Sequence, residues 1–161
     1  MKKQTIQKLT IIAFVLSLAL IWGQSCINME ESQTASDAVV DIIKPLEEIK
    51  PNDEVVTVEY DFLNHFVRKG AHIAEFTVIG IELALIIILF SKKKQKLPVI
   101  FINTVMAGMM IGLIDETIQI FSERGTQVKD IWFDVIGAAV GAVMVIVVYL
   151  LKSRKQRKTE E

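Results

Sequence analysis

The chain is poor in the residues that cross-link a fold or bind polyanions. It has a single cysteine, Cys26, which excludes an internal disulfide and any cysteine-based metal site. It has no excess of either charge: the formal net charge is -1, which excludes nucleic-acid binding driven by overall charge and leaves nucleic acid off the list of partners. Charged residues make up 23% and hydrophobic ones 52%, with a mean hydropathy of +0.43, a balance that suits long apolar segments separated by charged ones rather than a soluble domain. No internal repeat or low-complexity segment is evident. At 161 residues, one domain is expected.

Four apolar runs stand out: Leu9 to Trp22, Gly70 to Phe90, Leu97 to Ile114 and Ile131 to Leu151. A helix rises about 1.5 Å per residue, so about 20 residues cross a hydrocarbon core. The second and fourth runs reach that length, and the third does so if its helix continues to Gln119. The expectation is an all-α polytopic membrane protein, a bundle of four transmembrane helices over about 8–24, 70–90, 97–119 and 131–151. An outer loop at 25–69 and a basic cytoplasmic tail at 152–161 complete one domain, 1–161.

The first run also invites reading as a secretory signal, since Lys2 and Lys3 precede an apolar core. No small-x-small pair sits squarely after it, however. Gly23-Gln24-Ser25-Cys26 also lacks the apolar residue expected three before a lipidated cysteine. An uncleaved anchor is the better reading.

Basic residues near the span ends set orientation. Lys2, Lys3 and Lys8 precede the first run, Lys92, Lys93, Lys94 and Lys96 lie between the second and third, and Lys152, Arg154, Lys155, Arg157 and Lys158 follow the fourth. With four spans, all three clusters fall on one side. The other side carries ten acids between Glu30 and Asp61. Both termini are therefore expected in the cytoplasm of a multi-pass cell-membrane protein.

Within the outer loop, Thr34-Ala35-Ser36-Asp37 reads as a helix start, and Val39, Ile43 and Leu46 share a face before or beside Pro45. A short amphipathic helix on the membrane or over the bundle is expected; a solvated loop with incidental periodicity is the competing reading. Glu54 to Tyr60, EVVTVEY, alternates in part, as an extended segment does.

The polar residues of the spans carry the functional signal. Helical residues advance by about 100° each, so Arg68, His72, Glu75 and Glu82 share one stripe on the second span. A charge facing lipid near the bilayer centre costs about 3 kcal/mol or more, so the stripe should face other helices or a wet cavity. On the third span Asp115 and Gln119 extend back along one face to Gly112, Gly108 and Thr104; Glu116 adjoins them. On the fourth, Asp130, Asp134, Gly137 and Gly141 share a face. Each pair of glycines makes a small-xxx-small groove. If the two grooves pack together, the acids above them meet in one pocket, with Arg68, Lys69 and Arg124 as counter-charges.

Several uses suit such a pocket. A buried ion-pair network could serve only to fix helix register. Asp115, Glu116 and Asp130 are candidate ligands for a divalent cation. His72 and Glu75 are a candidate acid and base. Arg68 and Arg124 suit a phosphate or carboxylate. No spacing among these residues selects one use, and the sequence leaves the cofactor unknown.

At these residues the sequence resembles the VanZ-like family of small bacterial membrane proteins. The first matching motif is Lys69-x-x-His72-x-x-Glu75-Phe76, followed by Gly80. The second is Asp115-Glu116-x-x-Gln119-x-Phe121, then Arg124, Asp130 and glycines 137 and 141. Gln24-Ser25 after the first span also looks like the family, and the likeness covers roughly residues 9 to 150. It implies a four-helix membrane domain of the cell envelope, with a namesake linked to low-level resistance to the glycopeptide teicoplanin, and it gives no settled activity. In the family pattern D-x-x-x-N-x-x-G an asparagine stands where this chain has Asp134.

Three functions follow as expectations. The first is a non-enzymatic envelope protein. Its pocket (Arg68, Lys69, His72, Glu75, Asp115, Glu116, Gln119, Arg124, Asp130, Asp134) binds a lipid head group, a lipid-linked cell-wall precursor or a glycopeptide antibiotic. The second is an integral membrane enzyme acting on such a lipid through His72 and Glu75. The third, an ion pathway through Glu82, needs more helices than four unless the chain oligomerises. Partners are the lipid bilayer and that ligand.

Overall fold

In the computed structural model, residues 3–26, 54–93, 95–122 and 130–160 are described; for 54–65, 68 and 156–160 the description is of the backbone alone. The described residues form four helices: α1 Lys3–Ser25, α2 Glu54–Phe90, α3 Leu97–Phe121 and α4 Asp130–Glu160. Each contains a window long and apolar enough to cross a membrane, at Lys3–Ser25, Lys69–Phe90, Leu97–Phe121 and Asp130–Lys155. The fold is an all-helical membrane bundle. The expected amphipathic helix near residues 34–46 lies outside the described residues.

Two stretches differ from the sequence reading. Glu54 to Tyr60 is helical, not extended: α2 runs for 37 residues and begins inside the segment read as a loop. Val, Thr and Tyr alternation resembles a strand only in isolation. Here those residues are continuous with the helix of the span. The basic segment after residue 151 likewise continues α4 through Glu160.

Backbone groups in lipid must be satisfied within the protein, and the helices do this locally. α3 begins after Lys96, whose backbone is extended (φ -71°, ψ 140°), with Pro98 in the first turn, where a missing N–H leaves no gap. It ends at Ser122, whose N–H donates to the Ile118 carbonyl at 3.2 Å. Span hydroxyls bond back one turn, as in Thr77 to Ile73 (2.7 Å) and Thr104 to Ile100 (2.8 Å).

α2 and α3 occupy the middle of the bundle. α4 packs on both, most extensively on α2, and α1 packs on both from another side; among the described residues α1 and α4 do not meet. Phe76, Ile79, Leu83 and Ile111 form the core with Ile21 of α1, and Phe14, Leu18 and Trp22 pack against it. Large apolar side chains such as Leu16, Leu20, Met106, Met110, Val140 and Leu151 point outward, the arrangement a lipid solvent requires.

The glycines lie in close packing, but not groove against groove. A Cβ on Gly108 would stand 2.5 Å from the Ala138 methyl, and one on Gly112 would stand 2.8 Å from an Asp134 carboxylate oxygen. α3's groove thus receives the alanine and aspartate of α4. Gly137 and Gly141 instead face α2: a Cβ on Gly137 would meet the Ile73 carbonyl at 2.6 Å, and one on Gly141 would collide with the Thr77 carbonyl. The physical reason is the width of α4's small-residue face. Gly137, Ala138, Gly141 and Ala142 cover enough of the helix to serve two neighbours at once.

Candidate functional site

Ser25, Lys69, His72, Asp115, Glu116, Gln119, Asp130 and Asp134 lie at the end of the bundle remote from the basic clusters. They form two connected groups around α3.

The first group joins α1 to α3. The Ser25 hydroxyl donates to Asp115 Oδ1 at 2.5 Å, and Gln119 Nε2 donates to Asp115 Oδ2 at 2.7 Å. Asp115 has no exposed surface and Gln119 is 6% exposed. The Ser122 hydroxyl donates to the Ser25 carbonyl at 2.6 Å, tying the ends of both helices together. Asp115 therefore has a donor on each oxygen, the condition for holding a carboxylate inside a bundle.

The second group joins α2 to α4. Lys69 forms an ion pair with Asp130, and its ammonium lies 5.5 Å from the centre of the Phe133 ring. His72 Nδ1 is 3.6 Å from Asp134 Oδ1. Asp134 is 1% exposed, and its carboxylate rests against the backbone of Gly112. Glycine at 112 is what allows α3 to lie over that carboxylate.

Glu116 stands between the groups. It is 7% exposed and within electrostatic range of Asp130, Asp134, Asp115 and His72. Glu116 Oε2 and Asp134 Oδ2 are buried without a hydrogen-bond partner among the described residues.

The helical stripe of the sequence reading divides accordingly. His72 meets Asp134 as expected. Lys69, off the stripe, supplies the pair to Asp130. Glu82 turns away: its Oε1 accepts from Ser17 of α1 at 3.0 Å. His72 and Glu82 are ten residues apart, so they differ by about 80° around α2 and face different neighbours. Asp115 and Gln119 take their partner from α1 rather than from α2. Glu75 is half-buried and engaged in an interaction of its own. The backbone of Arg68 lies one residue before Lys69 on α2; Arg124 lies outside the described residues. Among the described residues, no group of three or more His, Cys, Asp or Glu is arranged to hold a metal ion, which leaves the set Asp115, Glu116 and Asp130 without geometric support.

Sequence reasoning gave no role to Ser17, Ser25 or Ser122. Serine is common in apolar helices and carries no charge to flag it. For Ser25 a signal was present in Gln24-Ser25, the family-like pair after the first span.

Residues 10–150 match the family model VanZ/LLP1. No curated protein and no solved structure matches the chain.

Proposed function

The chain belongs to the VanZ/LLP1 family, and from that premise we propose that it is a cell-envelope protein whose polar cluster binds a head group at the outer face of the cell membrane. Both termini lie in the cytoplasm in this reading, because three separate basic clusters occupy the opposite end. The ligand is a lipid head group, a lipid-linked cell-wall precursor or a glycopeptide antibiotic, and through the last of these the protein contributes to teicoplanin-type resistance. One observation carries the reading. Glu116 and Asp134 each hold a buried carboxylate oxygen with no donor among the described residues. Leaving a buried polar group unsatisfied costs about 1–3 kcal/mol, more for a charged one, so a ligand that brings N–H or O–H donors is favoured there.

The test is a mass-spectrometric analysis of lipid co-purifying with the wild type, Glu116→Gln and Glu75→Gln. A head-group class present on the wild type and lost from Glu116→Gln, with equal accumulation, supports the reading. The same lipids on all three proteins contradict it. In cells, the same variants should lose any teicoplanin tolerance the wild type confers.

An enzymatic reading is favoured by one contact, His72 Nδ1 at 3.6 Å from Asp134 Oδ1, which puts a carboxylate within ion-pair distance of an imidazole that can carry a proton. It predicts that the bound lipid is chemically altered, and that His72→Ala or Glu75→Gln abolishes the alteration while the protein still inserts. A binder loses ligand in part and alters none.

A further inference from the structure

The opposite end of the bundle holds a cavity that the polar cluster does not explain. The end of α2, the α2–α3 connection, α3 and the last turns of α4's span border an open pocket of about 200 Å³, of whose lining Lys92, Lys93 and Gln95 are exposed. Ile88 and Ile100 supply its apolar lining. Ser91, Lys92, Lys93, Gln95 and Tyr149 supply the polar lining, the Ser91 hydroxyl already donating to the Ile87 carbonyl. The two ammoniums, the amide and the phenol all bring hydrogen-bond donors, and among the described residues no carboxylate lines the space.

The surrounding sequence sharpens this. Between Glu82 and Asp115 there is no acid, nor is there one between Asp134 and Glu160 or before Glu30. The Gln7 side chain donates to the Leu89 carbonyl at 2.8 Å, which brings the start of α1, with Lys3 and Lys8, to the same end. Cations from three parts of the chain therefore crowd an end whose spans offer no counter-anion. The N-terminus of α3, with its positive dipole end, points the same way.

The position selects the source of the anion. The cavity lies where the apolar spans stop, at Phe90 and Leu97, and Phe90 and Val99, next in sequence to the lining residues Ser91 and Ile100, are exposed at 49% and 39%. A lipid whose phosphate sits among the lysines would have its acyl chains at the apolar level of the same span ends. Tyr149 is half-buried at the same level, the depth at which an amphipathic ring is favoured.

We propose that the Lys92–Lys93–Gln95–Tyr149 cavity binds the phosphate head group of an anionic phospholipid in the leaflet that meets the basic end. The site is separate from the polar cluster, and nothing in it depends on the outer ligand.

The experiment titrates the purified full-length protein in neutral detergent with phosphatidylglycerol or phosphatidylcholine, reading bound lipid by native mass spectrometry. The wild type should retain phosphatidylglycerol over phosphatidylcholine. Lys92→Gln with Lys93→Gln should weaken that retention by about thirtyfold, at about 1 kcal/mol for each cation removed. Lys152→Gln with Arg154→Gln, the same charge change outside the cavity, should alter it by less than about twofold, because salt screens exposed charges away from the bound anion. Tyr149→Phe, which removes one donor and keeps the ring, should weaken it by about threefold and provides a second reading if the double variant does not accumulate. Equal loss in both double variants would reduce the effect to general surface charge and overturn the site. Displacement of the lipid by millimolar inorganic phosphate would assign the cavity to a soluble anion instead. No preference between the two lipids would also end the proposal.

Discussion

Ser25 and Gly141 show how single side chains control this bundle. Asp115 is buried with one donor from Ser25 and one from Gln119. Ser25→Ala removes the first and leaves a carboxylate oxygen unsatisfied, so unfolding in detergent should be easier by about 1–3 kcal/mol. An unchanged unfolding midpoint would mean that Asp115 does not depend on α1. Gly141→Ala acts through volume. The added methyl meets the Thr77 carbonyl and the Ile81 backbone nitrogen, neither of which can turn aside. The α2–α4 contact must open, at roughly 1–3 kcal/mol, which a denaturant titration would detect. Gly23→Ala is the control, since nothing lies near that position.

Among the elements, α1 has the least apolar claim on the fold. Only Ile21 and Ser25 of it are buried. Its attachment is polar instead: Gln7 to Leu89, Ser17 to Glu82 and Ser25 to Asp115. Helices in lipid gain no hydrophobic free energy by meeting, so hydrogen bonds and close contacts decide which faces join. A double-mutant cycle on Ser17→Ala and Glu82→Gln should give a coupling on the order of 1 kcal/mol. A coupling near zero would remove Ser17 as the reason Glu82 is tolerated at that depth. By the same logic α1 is tied to the bundle by the donors it supplies to two acids of other helices, Glu82 and Asp115.

For the whole molecule, the separation of charge is the governing feature. One end carries the basic clusters of α1, the α2–α3 connection and α4; the other carries Asp115, Glu116, Asp130 and Asp134. Because Cys26 is the chain's sole cysteine and is exposed, it reports the side on which the acidic end lies. A membrane-impermeant maleimide should label Cys26 in intact cells. In a Cys26→Ser background, Arg154→Cys should be labelled only after permeabilisation. The reverse pattern would invert the topology, and with it the leaflet assigned to each site.

Length and hydropathy alone determined the number of spans, because a run of some twenty apolar residues has few other stable fates in water or lipid. Charge placement alone sorted the two ends. Helical period alone buried the face of Thr104, Gly108, Gly112, Asp115 and Gln119, since polar and small residues on one side of a membrane helix must turn inward. The tertiary structure decided who meets whom. Period fixes a direction around one helix axis and says nothing of which neighbour stands there. So Gly137 and Gly141 meet α2 rather than the glycines of α3, Glu82 meets a serine, and Asp115 is completed by a hydroxyl from ninety residues away.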